Sequence, residues 1–117
     1  MRRIPRVKFL DRASTNYILI IDIDLKDKSF KTLFREARQK GDFDVDFHFL
    51  IHRDGNVEVG RDIDAIGSFN IREDAVIIYV DTLHGKETDW QVDAVTELID
   101  TLKKKYKGAE VQKSVRE

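Results

Sequence analysis

Phe47-His48-Phe49-Leu50-Ile51-His52-Arg53-Asp54-Gly55-Asn56-Val57-Glu58-Val59-Gly60-Arg61-Asp62 is the stretch that decides the fold. Apolar and polar side chains alternate, the chain turns at Asp54-Gly55-Asn56, and the alternation resumes through Val57 and Val59. Successive strand residues point to opposite faces, so this pattern predicts a β-hairpin with one buried face.

Working outward, Tyr17 to Ile23 is a continuous β-branched run that suits a central strand covered on both sides, and Ala75 to Val80 is a second. Between them Phe30, Leu33, Phe34 and Ala37 fall at i, i+3, i+4 and i+7, one stripe of an amphipathic helix. Ser29 is its expected N-cap and Gly41 its stop. Residues 62–74 read as a long loop. A second helix is predicted after Gly85, opened by a Thr88/Gln91 capping box, with Val92, Val95, Ile99, Leu102 and Tyr106 as its apolar stripe and Gly108 as its end. Lys103, Lys104, Lys105 and Lys107 crowd its last turns, where the helix dipole favours cations. The segment near Arg6 to Leu10 fits a short strand or an extended arm, and the residues after Ala109 fit an added strand or a fraying end. Strand, helix, hairpin, strand and helix make one α/β domain over residues 1–117, with a mixed central β-sheet flanked by helices in three layers.

Composition narrows the function. The 117 residues are 41% hydrophobic and 37% charged, which suits a globular core under a heavily solvated surface. Twenty-one basic residues against 22 acidic ones leave a net charge of −1, so nothing global favours nucleic acid or an anionic membrane. There is no cysteine, and hence no disulfide or thiolate ligand. No signal-peptide core and no run of roughly 20 apolar residues is visible, which gives an expectation of a cytoplasmic protein. No glycine-rich phosphate loop, Gly-x-Ser-x-Gly elbow or nucleophilic triad appears.

The hairpin wording resembles that of the zinc amidases of phages and bacteria that cut the N-acetylmuramoyl-L-alanine bond of peptidoglycan, in particular the lysozymes of T-seven-type phages. The likeness extends to Arg6-Val7-Lys8-Phe9 with Arg12-Ala13-Ser14-Thr15, to Arg38-Gln39-Lys40-Gly41 and Asp44-Val45-Asp46-Phe47-His48-Phe49, to Gly60-Arg61-Asp62 with Ala65-Ile66-Gly67-Ser68, and to Lys105-Tyr106-Lys107-Gly108-Ala109. It covers residues 6–111. The resemblance implies an amidase-like fold, a zinc cofactor and a substrate groove. It also implies ligand positions that this chain does not fill: a first histidine where Ile21 stands, a second at Ser114 or Val115, and a third ligand beyond Glu117, the chain being truncated relative to the family. The family's catalytic tyrosine falls at Phe47, its late lysine has no counterpart, and another family histidine falls at Phe69. A catalytic zinc needs about three converging ligands and an open position for water. The expectation is therefore a degenerate amidase, with no catalytic residue, no metal and no cofactor.

Its implied groove residues are Phe47, His48, Arg61 and Phe69, with Asp22 and Asp24 nearby. Asp22 and Asp24 are two apart on one strand face, and His48 and His52 share a face, so Asp22, Asp24 and His48 sketch a rebuilt metal or acid–base site. The plainer reading outweighs it: strand-end carboxylates emerge into solvent, and strand histidines are usually hydrogen-bonded structural residues. T-seven-type relatives also bind and inhibit a single-subunit RNA polymerase, partly through their amino-terminal segment. Because that segment is echoed here, the leading expectation is a phage-encoded regulator that binds a protein, with a phage-type RNA polymerase as the specific partner and Arg3, Arg6, Lys8 and Arg12 as contacts. The same residues read simply as a solvated basic terminus about as well. The alternatives are a non-catalytic peptidoglycan (muropeptide) binding module and a hydrolase with a rebuilt site. Neither direct nucleic-acid binding nor membrane binding is expected.

Overall fold

The computed structural model describes residues 10–42, 44–68 and 71–116. Seven elements follow one another: β1 (Tyr17–Ile23), α1 (Phe30–Gln39), β2 (Phe49–Ile51), β3 (Val57–Val59), β4 (Ala75–Asp81), α2 (Asp89–Lys105) and β5 (Glu110–Arg116). They build one mixed sheet in the order β3-β2-β4-β1-β5. β4 runs parallel to β1 and β2, β5 runs parallel to β1, and β2 with β3 forms the antiparallel hairpin.

The two aliphatic runs take the central places because both their faces are covered. All seven residues of β4 are buried. On one face Ile18, Ile20, Ile51, Val76, Ile78 and Val80 pack under Val95 and Leu102 of α2. On the other, Ile21, Leu50, Ile77 and Tyr79 pack with Val45 and Phe47 against Phe30, Leu33 and Phe34 of α1. At about 1.5–3 kcal/mol for each fully buried aliphatic side chain, these two clusters are the main favourable term in folding.

Both helices begin as their sequences require. The Ser29 hydroxyl accepts from the Thr32 N–H, and Gly41 (φ +94°) takes the left-handed turn after α1. Thr88 and Gln91 form the full capping box of α2. Gln91 is completely buried, and its Nε2 also donates to the carbonyls of Ile51 (3.3 Å) and Asp81 (2.6 Å), which fixes the start of α2 over the ends of β2 and β4. α2 stops at Lys105, ahead of Gly108, because Tyr106 leaves helical geometry at φ −120°. The tail, which sequence left between strand and frayed end, is β5, paired with β1 along its whole length. No described helix is long and apolar enough to cross a membrane.

Candidate functional site: a groove on the α1 face

A cavity of about 500 Å³ opens between α1, the ends of β1, β4 and β5, and the segment leading into β2. Phe47 and Tyr79 form part of its lining, their ring centroids 5.0 Å apart, and the Phe30 ring meets Phe47 edge-on at 6.2 Å. Leu33, Glu36 and Ala37 of α1, with Lys40 just past its end, form one wall, and Asp24, Arg61 and Arg116 line it elsewhere. Its charged lining is balanced, with Lys26, Lys28, Lys40, Arg61 and Arg116 against Asp24, Glu36, Asp42, Asp44 and Asp46. Such a wall favours a ligand carrying both signs of charge over a polyanion.

Each polar group near the aromatic floor has an identifiable hold. The Tyr79 hydroxyl donates to Asp46 Oδ2 (3.0 Å) and accepts from Arg116 Nη1 (3.4 Å). Burial, then the Asp46 carboxylate, push the Tyr79 phenol well above its ordinary range, so it is a hydrogen-bond donor and not a base. Arg61 donates to the carbonyls of Val45 (2.6 Å) and Ile66 (2.8 Å), which ties the approach to β2 to the loop after β3. Lys28 reaches both oxygens of Glu36 at 2.8 Å.

The register places the two implied ligand positions side by side. Ile21 of β1 is directly opposite Ser114 of β5, and both side chains project to the α1 face, whereas Val115 projects to the α2 face. Neither position offers an imidazole or carboxylate. Among the described residues no group of three or more His, Cys, Asp or Glu side chains gathers in a way that could hold a metal ion. The described residues therefore do not fit a catalytic zinc.

Of the residues singled out in the sequence, Phe47, Arg61 and Asp24 line the cavity. Phe69, Arg3, Arg6 and Lys8 lie outside the described residues. Three placements correct the sequence reading. His48 does not face the groove: it is completely buried, its Nδ1 accepts from the Ile77 N–H (2.9 Å) and its Nε2 donates to the Ala65 carbonyl (2.7 Å). Burial lowers its pKa to about 4, so it is a neutral structural residue. Asp22 is also buried but points to the α2 side, where Lys113 stands 3.6 Å away and itself reaches Glu87 at 2.5 Å. Asp24 lies past the end of β1 and is held by Arg53 at 2.8 Å. Asp22, Asp24 and His48 thus do not converge, and the rebuilt catalytic site sketched from them is not assembled.

The third correction concerns Arg12, expected to contact a partner. Its guanidinium works internally, donating to the carbonyls of Ile63 (2.5 Å) and Ala65 (2.8 Å), to the Thr15 hydroxyl (3.0 Å) and to the Tyr106 hydroxyl (3.1 Å). Sequence reasoning had passed over Tyr79, Arg116 and Asp46. The one signal available is a lone tyrosine in the aliphatic run Ala75 to Val80.

No family model matches the chain. Curated relatives do: the chain is 32% identical over 116 residues to an endolysin of Klebsiella phage KP32 and 36% identical over 117 residues to the endolysin of Escherichia phage T7, each match spanning 89% of this chain and 77% of the relative. The chain belongs to the phage endolysin family. Its fold is that of the N-acetylmuramoyl-L-alanine amidases and peptidoglycan-recognition proteins. The endolysin-family chain superposes with a TM-score of 0.78 on PGRP-Hd from Alvinella pompejana (19% identity, 96% of this chain and 80% of that one). It matches the endolysin amidase LysCS of Clostridium intestinale with a TM-score of 0.74 (19% identity, 92% and 77%). A third match, with a TM-score of 0.76 at 15% identity over 95% and 77% of the two chains, is to a complex of the PGRP-LCa and PGRP-LCx ectodomains with bound tracheal cytotoxin.

Proposed function

We propose that this endolysin relative is a non-hydrolytic binding protein whose groove holds a peptidoglycan fragment without cutting it. The observation that carries the reading is the pairing of Ile21 with Ser114 where the family's first two zinc ligands are expected, beside a cavity of about 500 Å³ with an aromatic floor. Phe47 stands at the expected catalytic tyrosine and has no hydroxyl to offer. The balanced charge of the walls supports a muropeptide, which carries carboxylates and amide or amine groups on one stem, and the likeness to a recognition protein that binds tracheal cytotoxin supports the same ligand class. The test is calorimetric titration of a purified disaccharide-peptide into the wild type and into Ala37→Trp, which fills the groove from α1. Binding by the wild type, lost in Ala37→Trp at unchanged thermal stability, is expected. Absence of binding by the wild type overturns the ligand assignment.

A second reading, the regulator of a phage-type RNA polymerase, draws on the family-like wording of residues 6–15. With Arg12 committed internally, it rests on Arg3, Arg6 and Lys8. Transcription by such a polymerase should fall on adding the protein and recover with the Arg3→Glu, Arg6→Glu, Lys8→Glu variant. An unaffected polymerase removes this reading.

A further inference from the structure

On the sheet face opposite the groove, α2 covers the centre and leaves the β3 side bare. Val57 and Val59 pair in register with Ile51 and Phe49, whose side chains belong to the α2-side cluster, so both valines project to that face. They remain 42% and 61% exposed. Trp90, at the start of α2, is 67% exposed and lies against the hairpin turn, with its Cβ 2.9 Å from where a Cβ on Gly55 would stand. Ala94 and Leu98 follow Trp90 at i+4 and i+8, only partly buried against the same cluster. The result is an apolar trough bounded by α2 on one side and by the outermost strand, β3, on the other. β3 is the edge of the sheet, beyond which no described strand adds another pairing partner.

The charge around this trough that has no ion-pair partner among the described residues is acidic. Asp54 on the hairpin turn, Asp62 just past β3, and Asp89, Asp93 and Glu97 on α2 are all exposed, and none is ion-paired with a described residue. The neighbouring cations are already used: Arg53 is held by Asp24 and Asp81, and Lys105 reaches Asp64. A chain of net charge −1 thus concentrates carboxylates around its exposed Trp and Val side chains. Exposed apolar patches rimmed by polar residues mark interaction sites, and a rim of one sign selects a partner of the other.

We propose that the trough between β3 and α2 docks a basic segment of another protein, one whose apolar side chains cover Val57, Val59 and Trp90 while its Lys or Arg side chains meet Asp54, Asp93 and Glu97. This surface is separate from the groove, so the protein has two faces with different ligands.

Trp90 is the sole tryptophan of the chain, so its fluorescence reports on the trough directly. The probe is a synthetic peptide of alternating Leu and Lys, with an alternating Leu and Glu peptide of equal length as its control, added to the intact protein. A saturable blue shift with the Leu–Lys peptide alone is expected. It should weaken by roughly tenfold or more in Asp93→Lys, Glu97→Lys, and likewise in Val57→Thr, Val59→Thr, which keeps strand propensity. Charge reversal at the distant Glu73 and Glu110 should leave it unchanged. Equal responses to the two peptides, or indifference to reversal at Asp93 and Glu97, would overturn the proposal. So would concentration-dependent dimers in sedimentation that the Asp93→Lys, Glu97→Lys variant abolishes, since a second copy presenting its own Lys103 to Lys107 end would then be the occupant.

Discussion

Asp22→Asn tests the far-face carboxylate and the buried histidine together. Burial, then the neighbouring Glu87, push Asp22 from 3.8 up to about 6, with Lys113 opposing them. A carboxyl whose folded pKa is raised contributes stability that is fully present below 3.8 and is lost as the pH rises through 6. At 1.36 kcal/mol per tenfold, the loss is about 3 kcal/mol. His48 acts in the opposite sense. Its folded pKa of about 4, against 6.5 when free, means that the unfolded chain takes up a proton first, so stability is lost as the pH falls from 6.5 towards 4. That loss is also about 3 kcal/mol. In the wild type the two slopes cancel between pH 4 and 6. Asp22→Asn keeps the shape and removes one of them. Urea unfolding followed by far-ultraviolet circular dichroism from pH 4 to 7 should show the variant gaining about 3 kcal/mol on the wild type over that range. Carboxylates away from Asp22 contribute equally to both proteins and drop out of the difference, whereas Glu87, which shares Lys113 with Asp22, is replaced by Gln in both proteins to isolate the Asp22 slope. Parallel curves would refute the burial argument for Asp22.

Other consequences follow from single contacts. Arg12→Lys keeps the charge but loses the planar fork that reaches Ile63, Ala65, Thr15 and Tyr106 at once, and should cost about 2–3 kcal/mol in urea unfolding; an unchanged midpoint would show that the fork is dispensable. Gly55→Ala sets a Cβ at φ +88° and 2.9 Å from Trp90, so it should cost about 1–3 kcal/mol and alter Trp90 emission, and a silent substitution would contradict the turn geometry. Ile21→His with Ser114→His places two imidazoles on one face of adjacent strands, and competition with a chromophoric chelator should reveal tighter zinc binding by the variant than by the wild type. Failure of that variant to bind zinc would contradict the β1–β5 register.

Much of the fold was legible because its determinants are local. The aliphatic runs of β1 and β4, the Ser29 cap and the Thr88/Gln91 box state their structure within a few residues of themselves. The tail was not legible: Glu110 to Arg116 alternates too weakly to show a face, and its pairing with β1 depends on a neighbour more than 80 positions away in the chain. The site was half legible for a similar reason. Period-2 alternation says that Asp22 shares a face with Ile20, but which face meets α2 and which meets the groove is settled only when both helices have packed. His48 looks in sequence like a groove histidine. Its role as an acceptor for Ile77 N–H and donor to Ala65 becomes visible only when three distant segments meet. Arg12 likewise reads as a surface cation until its acceptors, up to 94 positions away, are brought around it.

We propose that the groove binds without cutting. The most direct test is to incubate the protein with purified peptidoglycan in the presence of zinc and to measure released soluble muropeptides by chromatography, with the Escherichia phage T7 endolysin as the positive control. No release above the protein-free control is predicted. Release that a chelator suppresses would contradict the account and place a working metal centre in this chain.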